Sequence, residues 1–411
     1  ALDQHPKSTG LKLVQVEMLV YDDKLDIAEK LLNELYAIEP NNEEIYIQKA
    51  NICSKRDQHE KAVELLKIAL QFTDDYADVY NLIGMEYLFM DNLELAKQSF
   101  IKCLEEDLED QSALYNVVYC FEFLDQNLEA IAYLNKYIDK NPYSEIAWHQ
   151  MGRLYYGVKE YENAIRAFDY ATLIDDEFLG AFMEKAKAFE RLNRYEEAIE
   201  SYSRTIELDD ATSYALLRTG KCHEKLGNTI LALKFYNETV HEDPLLDKGW
   251  IAITDFYVRQ KNFQKALFYV NKALAIDNQN RLYWKRYATI NKQMNFFEEA
   301  EFGYRKAVEF GDTELDTWLF WVDILQFLGE FESAIQTLLQ ASEFYPEENE
   351  VEYRLAGLYF MIQDTTKAKF HLSNGLRLKF DNYILIEDLF PVVWTKKTVR
   401  NYIDKHKKNN D

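Results

Sequence analysis

Residues 161–168 read YENAIRAF, and the same cadence returns 34 residues later as YEEAIESY at 195–202, then as FQKALFYV from 263, FEEAEFGY from 297 and FESAIQTL from 331. Steps of 34 from Ala164 in both directions meet Ala28, Ala62, Ala96, Ala130, Ala198, Ala232, Ala266, Ala300, Ala334 and Ala368. All are alanine, and no insertion breaks the register. At a background of roughly one residue in ten, such a run has a chance probability on the order of 10⁻¹¹. The chain is a repeat array, and its fold follows from the period.

A second series, 16 residues before the alanines, carries large aromatics: Tyr46, Tyr80, Trp148, Phe182, Trp250, Trp284 and Trp318. Four residues after them come small or β-branched residues such as Gly84, Gly152, Ala186 and Thr254, and three further on another large residue such as Tyr87, Tyr155 or Tyr257. Large, small, large at helical spacing describes a helix whose stripe lets a second helix come close. Pro, Asp or Asn near the end of each unit (Pro40, Asp74, Pro142, Asp176, Asp210, Pro244, Asn278, Asp312, Pro346) stops one repeat and starts the next.

Trp148, Met151, Gly152 and Tyr155, followed by Ala164, Phe168 and Ala171, resemble the tetratricopeptide repeat. The resemblance covers residues 9–382 as eleven repeats. It implies an all-α fold, a right-handed superhelical α-solenoid of antiparallel helix pairs with a concave groove. A single short pair cannot bury its apolar stripe, but stacked pairs share a continuous core. Residues 1–8 read as the tail of an upstream repeat, because Pro6 lies 34 before Pro40; the chain is then expected to be part of a longer protein. Residues 383–411 read as capping helices and a basic tail (Lys396, Lys397, Arg400, Lys405, Lys407, Lys408), with Leu389, Phe390, Val393 and Trp394 covering the last core.

Composition agrees and excludes several classes. Only 13 Gly and 6 Pro serve 411 residues, too few for the turns of a β or α/β protein. A formal charge of −24 repels phosphate backbones and anionic membrane surfaces, so nucleic acid is not an expected partner. No apolar run is long enough to span a bilayer. The four cysteines (Cys53, Cys103, Cys120, Cys222) form no CxxC pair and read as reduced, buried thiols, which fits a cytoplasmic protein.

No P-loop, GxGxxG or GxSxG appears. His223-Glu224 begins like a zincin, but the second His would fall at Gly227. His223 instead occupies a core aromatic position. No catalytic residue, metal or cofactor is expected.

The resemblance places the groove on the first helix of each repeat, at its second, fifth, ninth, twelfth and thirteenth positions. Those positions present Met85, Leu88, Phe89, Tyr115, Tyr119, Phe123 and Tyr156 in an aromatic zone, and Arg153, Lys187, Arg191, Lys221, Lys225 and Arg259 in a basic one, with Arg218 one position aside. Two readings stay open for each zone. The bases either receive an acidic segment or pair with Glu184, Glu190, Glu224 and Asp255. The aromatics either face a partner or are buried between adjacent first helices. Some relatives clamp chaperone carboxyl termini with a Lys/Asn set. Here Asn116 fills one position, but Asn81, Met85, Ile146 and Gln150 stand where others belong, and Arg218, Arg286 and Arg354 match the final Arg position without the rest of the clamp.

The sequence therefore reads as a non-catalytic scaffold that binds a peptide or protein segment in its groove, an apolar half met by Met85, Tyr119 and Tyr156 and an acidic half by Lys187, Lys221 and Lys225. The alternative is a regulatory or targeting array of a larger enzyme or signalling protein whose other domain lies upstream. Oligomeric state is not set by the sequence.

Overall fold

The structure, a computed structural model, describes residues 8–208 and 212–410, the last four by backbone alone. The expected upstream-repeat tail lies outside the described residues except for Ser8, as do Asp210 and the side chains of Lys407 and Lys408. The chain divides into two compact units, residues 1–210 and 211–411. Both are all-α, with no strand among the described residues.

The first unit runs in antiparallel pairs from Thr9–Tyr21 with Leu25–Ile38 to Leu179–Arg191 with Tyr195–Leu208. The second runs from Ser213–Lys225 with Thr229–Glu242 to Asn349–Met361 with Thr365–Leu378, then ends in Ile384–Leu389, Pro391–Trp394 and Lys397–Asn410. This is the α-solenoid that the period implies.

The alanine series sits where the two helices of a pair cross. All eleven alanines are 0% exposed, so each Cβ is in contact on every side and a larger side chain would push the axes apart. A second close approach lies beside it. The Phe100 ring packs over Gly84, Phe168 over Gly152 and Tyr236 over Gly220, so tightly that an added Cβ would stand 2.5–2.6 Å from a ring carbon. At the matching positions of other pairs the volumes trade. Val118 is set against Leu134, Thr254 against Val270 and Val322 against Leu338, all buried. An aromatic ring occurs opposite Gly or Ala, never opposite Val or Thr.

The turn inside each pair repeats with the same period. Asp23, Asp57, Asp91, Asp125, Lys159, Asn193, Gly227, Lys261, Asn295, Gly329 and Gln363 all have positive φ, 34 residues apart. Each lets the next residue donate its N–H to the carbonyl five back, as Glu160 does to Tyr155 at 2.9 Å and Glu330 to Leu325 at 2.8 Å. This is the bond that closes a helix through a left-handed residue. Glycine fills only two of these eleven positions.

The periodic aromatics also tie the loop between pairs. Nε1 of Trp148, Trp250 and Trp284 donates to the carbonyls of Pro142, Pro244 and Asn278 at 2.8–3.0 Å, and Tyr46 Oη to that of Pro40 at 2.9 Å. Trp318 is buried, and its Nε1 has no such partner. His223, expected in the core, is half-buried and stacks on Phe235 with ring centres 5.3 Å apart. Burial holds its imidazole below the usual range, so it is neutral at pH 7. At the carboxyl end Ile386, Phe390, Val393, Val399 and Ile403 are buried, while Leu389 and Trp394 pack partly against the same cluster.

Two stability changes follow. Gly152→Ala forces its methyl into Phe168 and is expected to cost about 2 kcal/mol by urea unfolding. Phe168→Leu in the same chain should restore a good part of that loss, and strictly additive losses would refute the pairing. Lys159→Gly relieves a left-handed lysine and is expected to stabilise by about 1 kcal/mol; an unchanged urea midpoint would remove that assignment.

Candidate functional site

Each expected groove residue lies on the first helix of its pair. In the first unit Met85 and Phe89 lie on Tyr76–Phe89, Tyr115 and Tyr119 on Gln111–Phe123, Arg153 and Tyr156 on Glu145–Gly157, and Lys187 and Arg191 on Leu179–Arg191. Lys221, Lys225 and Arg259 belong to the second unit.

The aromatic zone is not swallowed between helices. Phe89 is 59% exposed, Tyr115 41%, Tyr119 42% and Phe123 65%. Spacing of four places Tyr115, Tyr119 and Phe123 on one stripe, and the Tyr119 and Phe123 rings are 4.4 Å apart. Met85 is half-buried, its Sδ 3.7 Å from Asn116 Nδ2. Exposed rings of this size are held in water at a cost that a partner's apolar side chains would remove.

The basic zone is interleaved with acids. Arg153 lies 3.7 Å from Glu122 and donates from Nη1 to Gln150 at 2.9 Å. Arg191 Nε donates to Tyr156 Oη at 3.0 Å. A 220 Å³ pocket in the first unit is lined by Glu122, Arg153, Tyr156, Gly157, Glu184 and Lys187. In the second unit Arg259 meets Glu224 at 2.7 Å, and Glu224 also accepts from Tyr236 Oη at 2.7 Å. Burial and this carboxylate push the Tyr236 phenol well above its ordinary range. Arg286 grips Asp255 with two bonds of 2.8 and 3.1 Å, and Arg354 meets Asp323 and Glu350. Of the acids set beside the basic zone in the sequence, Glu224 meets Arg259 and Glu184 borders Arg153 and Lys187, while Asp255 pairs with Arg286 outside that zone and Glu190 accepts from Tyr202 Oη.

One cavity in the second unit holds none of the expected residues. It measures 350 Å³, with Val258, Phe263, Leu282 and Ile290 as apolar walls and Lys285 and Arg286 at its polar side. Leu282, Lys285 and Val258 stand at the second, fifth and twelfth repeat positions, so reading those positions in the eighth and ninth repeats for apolar residues would have found it.

Among the described residues no three His, Cys, Asp or Glu side chains converge as a metal site, and no helix is long and apolar enough to cross a membrane. Three of the four cysteines, Cys103, Cys120 and Cys222, are buried. Burial pushes the Cys120 thiol up to about 11 and the Cys103 thiol higher still, with Asp110 Oδ2 3.2 Å from the latter.

Tetratricopeptide-repeat family models match residues 19–85, 77–110, 149–211 and 183–246. Residues 19–110 and 149–246 thus match the tetratricopeptide repeat. Repeats of this kind imply a scaffold for protein–protein interaction. The chain is 24% identical over 157 residues to anaphase-promoting complex subunit 3 of Schizosaccharomyces pombe, covering 38% of this chain and 24% of that protein. It is 32% identical over 92 residues to the cell division cycle protein 27 homolog of Caenorhabditis elegans, covering 22% and 12%. The matched stretch is thus a quarter or less of either relative. Among solved structures, the carboxyl-terminal part of a tetratricopeptide-repeat protein from Cytophaga hutchinsonii aligns over 67% of this chain and 98% of its own, at 15% identity and a TM-score of 0.44. A repeat protein from Parabacteroides merdae aligns over 60% and 97%, at 14% identity and a TM-score of 0.44.

With Cys120 raised to about 11, under about one thiol in a thousand is ionised at pH 8. A disulfide reagent should therefore modify Cys120 in the folded protein more than about a hundredfold slower than in guanidinium. Comparable rates, followed residue by residue by mass spectrometry, would show the site to be open.

Proposed function

We propose that the chain holds an extended or helical segment of a partner protein against its first-helix face. In the first unit the apolar part of that segment lies on Met85, Phe89, Tyr115 and Tyr119, and a polar part reaches Arg153, Tyr156 and Lys187. The observation that carries this reading is the exposure of four large aromatic side chains, Phe89, Tyr115, Tyr119 and Phe123, on two successive first helices. Rigid aromatics contribute large contact area at low entropic cost, as binding hot spots do. In the second unit Lys221, Lys225 and Arg259 would serve an acidic stretch of the same or another segment. That the relative from S. pombe is by name a complex subunit supports a partner that is itself part of a multi-protein assembly.

The same proposal assigns residues 9–382 to eleven repeats and 383–411 to a cap. It rests on the paired helices, the left-handed residue every 34 positions and the burial of Phe390 and Val393. The free thiols of Cys53, Cys103 and Cys120 support a reducing compartment such as the cytoplasm.

A photo-crosslinking phenylalanine at Tyr119 is expected to capture a defined set of polypeptides in cells. The same probe at Arg166, exposed on a second helix, should not capture them, and Phe123→Ala should reduce capture at Tyr119 severalfold. Equal capture at both positions would sink the groove reading. Lys187→Glu combined with Lys221→Glu tests the basic residues, and an unchanged partner set would take them out of recognition.

A further inference from the structure

The pocket beside the aromatic stripe has a definite charge pattern. Glu122, Arg153, Glu184 and Lys187 line it together with Tyr156, giving two carboxylates and two cations around one small space. Two buried side chains stand next to members of this rim. Gln150, 1% exposed, accepts from Arg153 through its side-chain oxygen, and its Nε2 has no partner. His149, 8% exposed, places Nε2 3.3 Å from Glu184 Oε2, and neither ring nitrogen makes a hydrogen bond. Tyr156 Oη accepts from Arg191, which leaves its own O–H to donate elsewhere.

We infer that this pocket takes the side-chain carboxamide of a glutamine or asparagine in the partner segment, rather than a carboxylate or an ammonium. The inference rests on the groove reading above and narrows its chemistry. A carboxylate brings acceptors only and would face Glu122 and Glu184. An ammonium brings donors only and would face Arg153 and Lys187. Either enters as an unbalanced charge among the four charged side chains that line the pocket. A carboxamide carries two N–H donors for the carboxylates and a carbonyl for Tyr156 and the cations. It can do so without breaking the Arg153–Glu122 pair. The cavity of 220 Å³ has room for one such side chain. Because Phe123 adjoins Glu122 on the same helix, the residue next to the carboxamide should be apolar.

The test uses the full chain and four fluorescein-labelled nonapeptides, blocked at the carboxyl terminus and identical except for a central Gln, Glu, Lys or Met between leucines. Fluorescence polarisation should show the Gln peptide binding about tenfold more tightly than the other three. Tyr156→Phe keeps the ring and removes the donor; it should erase the preference for Gln over Met while leaving helical circular dichroism unchanged. A Glu peptide that binds best overturns the carboxamide and leaves the groove reading standing. Equal binding of all four, or binding of none, also overturns it, and the crosslinking at Tyr119 then decides separately whether the groove reading survives.

Discussion

The closeness of two helix axes at one alanine is the constraint on which the rest of the molecule depends. Each pair is too short to be stable as isolated helices, so its stability comes from contact with its own partner and the next pair. That contact requires a residue no larger than alanine at the crossing, and the eleven alanines are wholly buried. Once the axes are fixed, the ring of Phe168 or Tyr236 reaches the backbone of the facing glycine. Within the first unit the first helices then leave an outer stripe uncovered, and that is where Tyr119 and Phe123 stand.

How much of this was legible depends on whether a feature lives in residue type or in backbone shape. The alanines and the Trp148-type aromatics show as letters at a fixed interval. The left-handed residue of each turn does not, because Asp, Lys, Asn, Gln and Gly all fill it. There the helix-closing bond after it dictates the conformation and the side chain points to water. Pro142 and Pro244 were readable as stops. That the following tryptophan bonds the carbonyl of that same proline was not, since the six-residue reach becomes a contact only after the loop has turned.

The site divides along the same line. Repeat position found the outward stripe, where Phe89, Tyr115, Tyr119 and Phe123 are exposed while Met85, Leu88 and Tyr156 are half-buried. The bases were harder to read. A listing of Arg153, Lys187 and Arg259 gives the impression of a positive stripe, but Arg153 lies beside Glu122 and Arg259 beside Glu224. These pairs join residues 31 and 35 apart, from neighbouring repeats, and a periodic reading of one position at a time does not see them. In a protein of charge −24, such interleaving holds cations on the surface at low electrostatic cost.

The traded volumes inside the pairs limit how such an array can be rearranged. All repeats share one register, so by length alone any first helix could follow any other's second. By volume they cannot, because the glycine that admits Phe168 is in another repeat the valine that meets Leu134. Whole 34-residue units can be gained, lost or reordered with their internal fit intact, whereas a crossover at the left-handed turn would join helices shaped for other partners. The seam at which this protein tolerates recombination is therefore the loop between pairs, and the indivisible module is the pair itself.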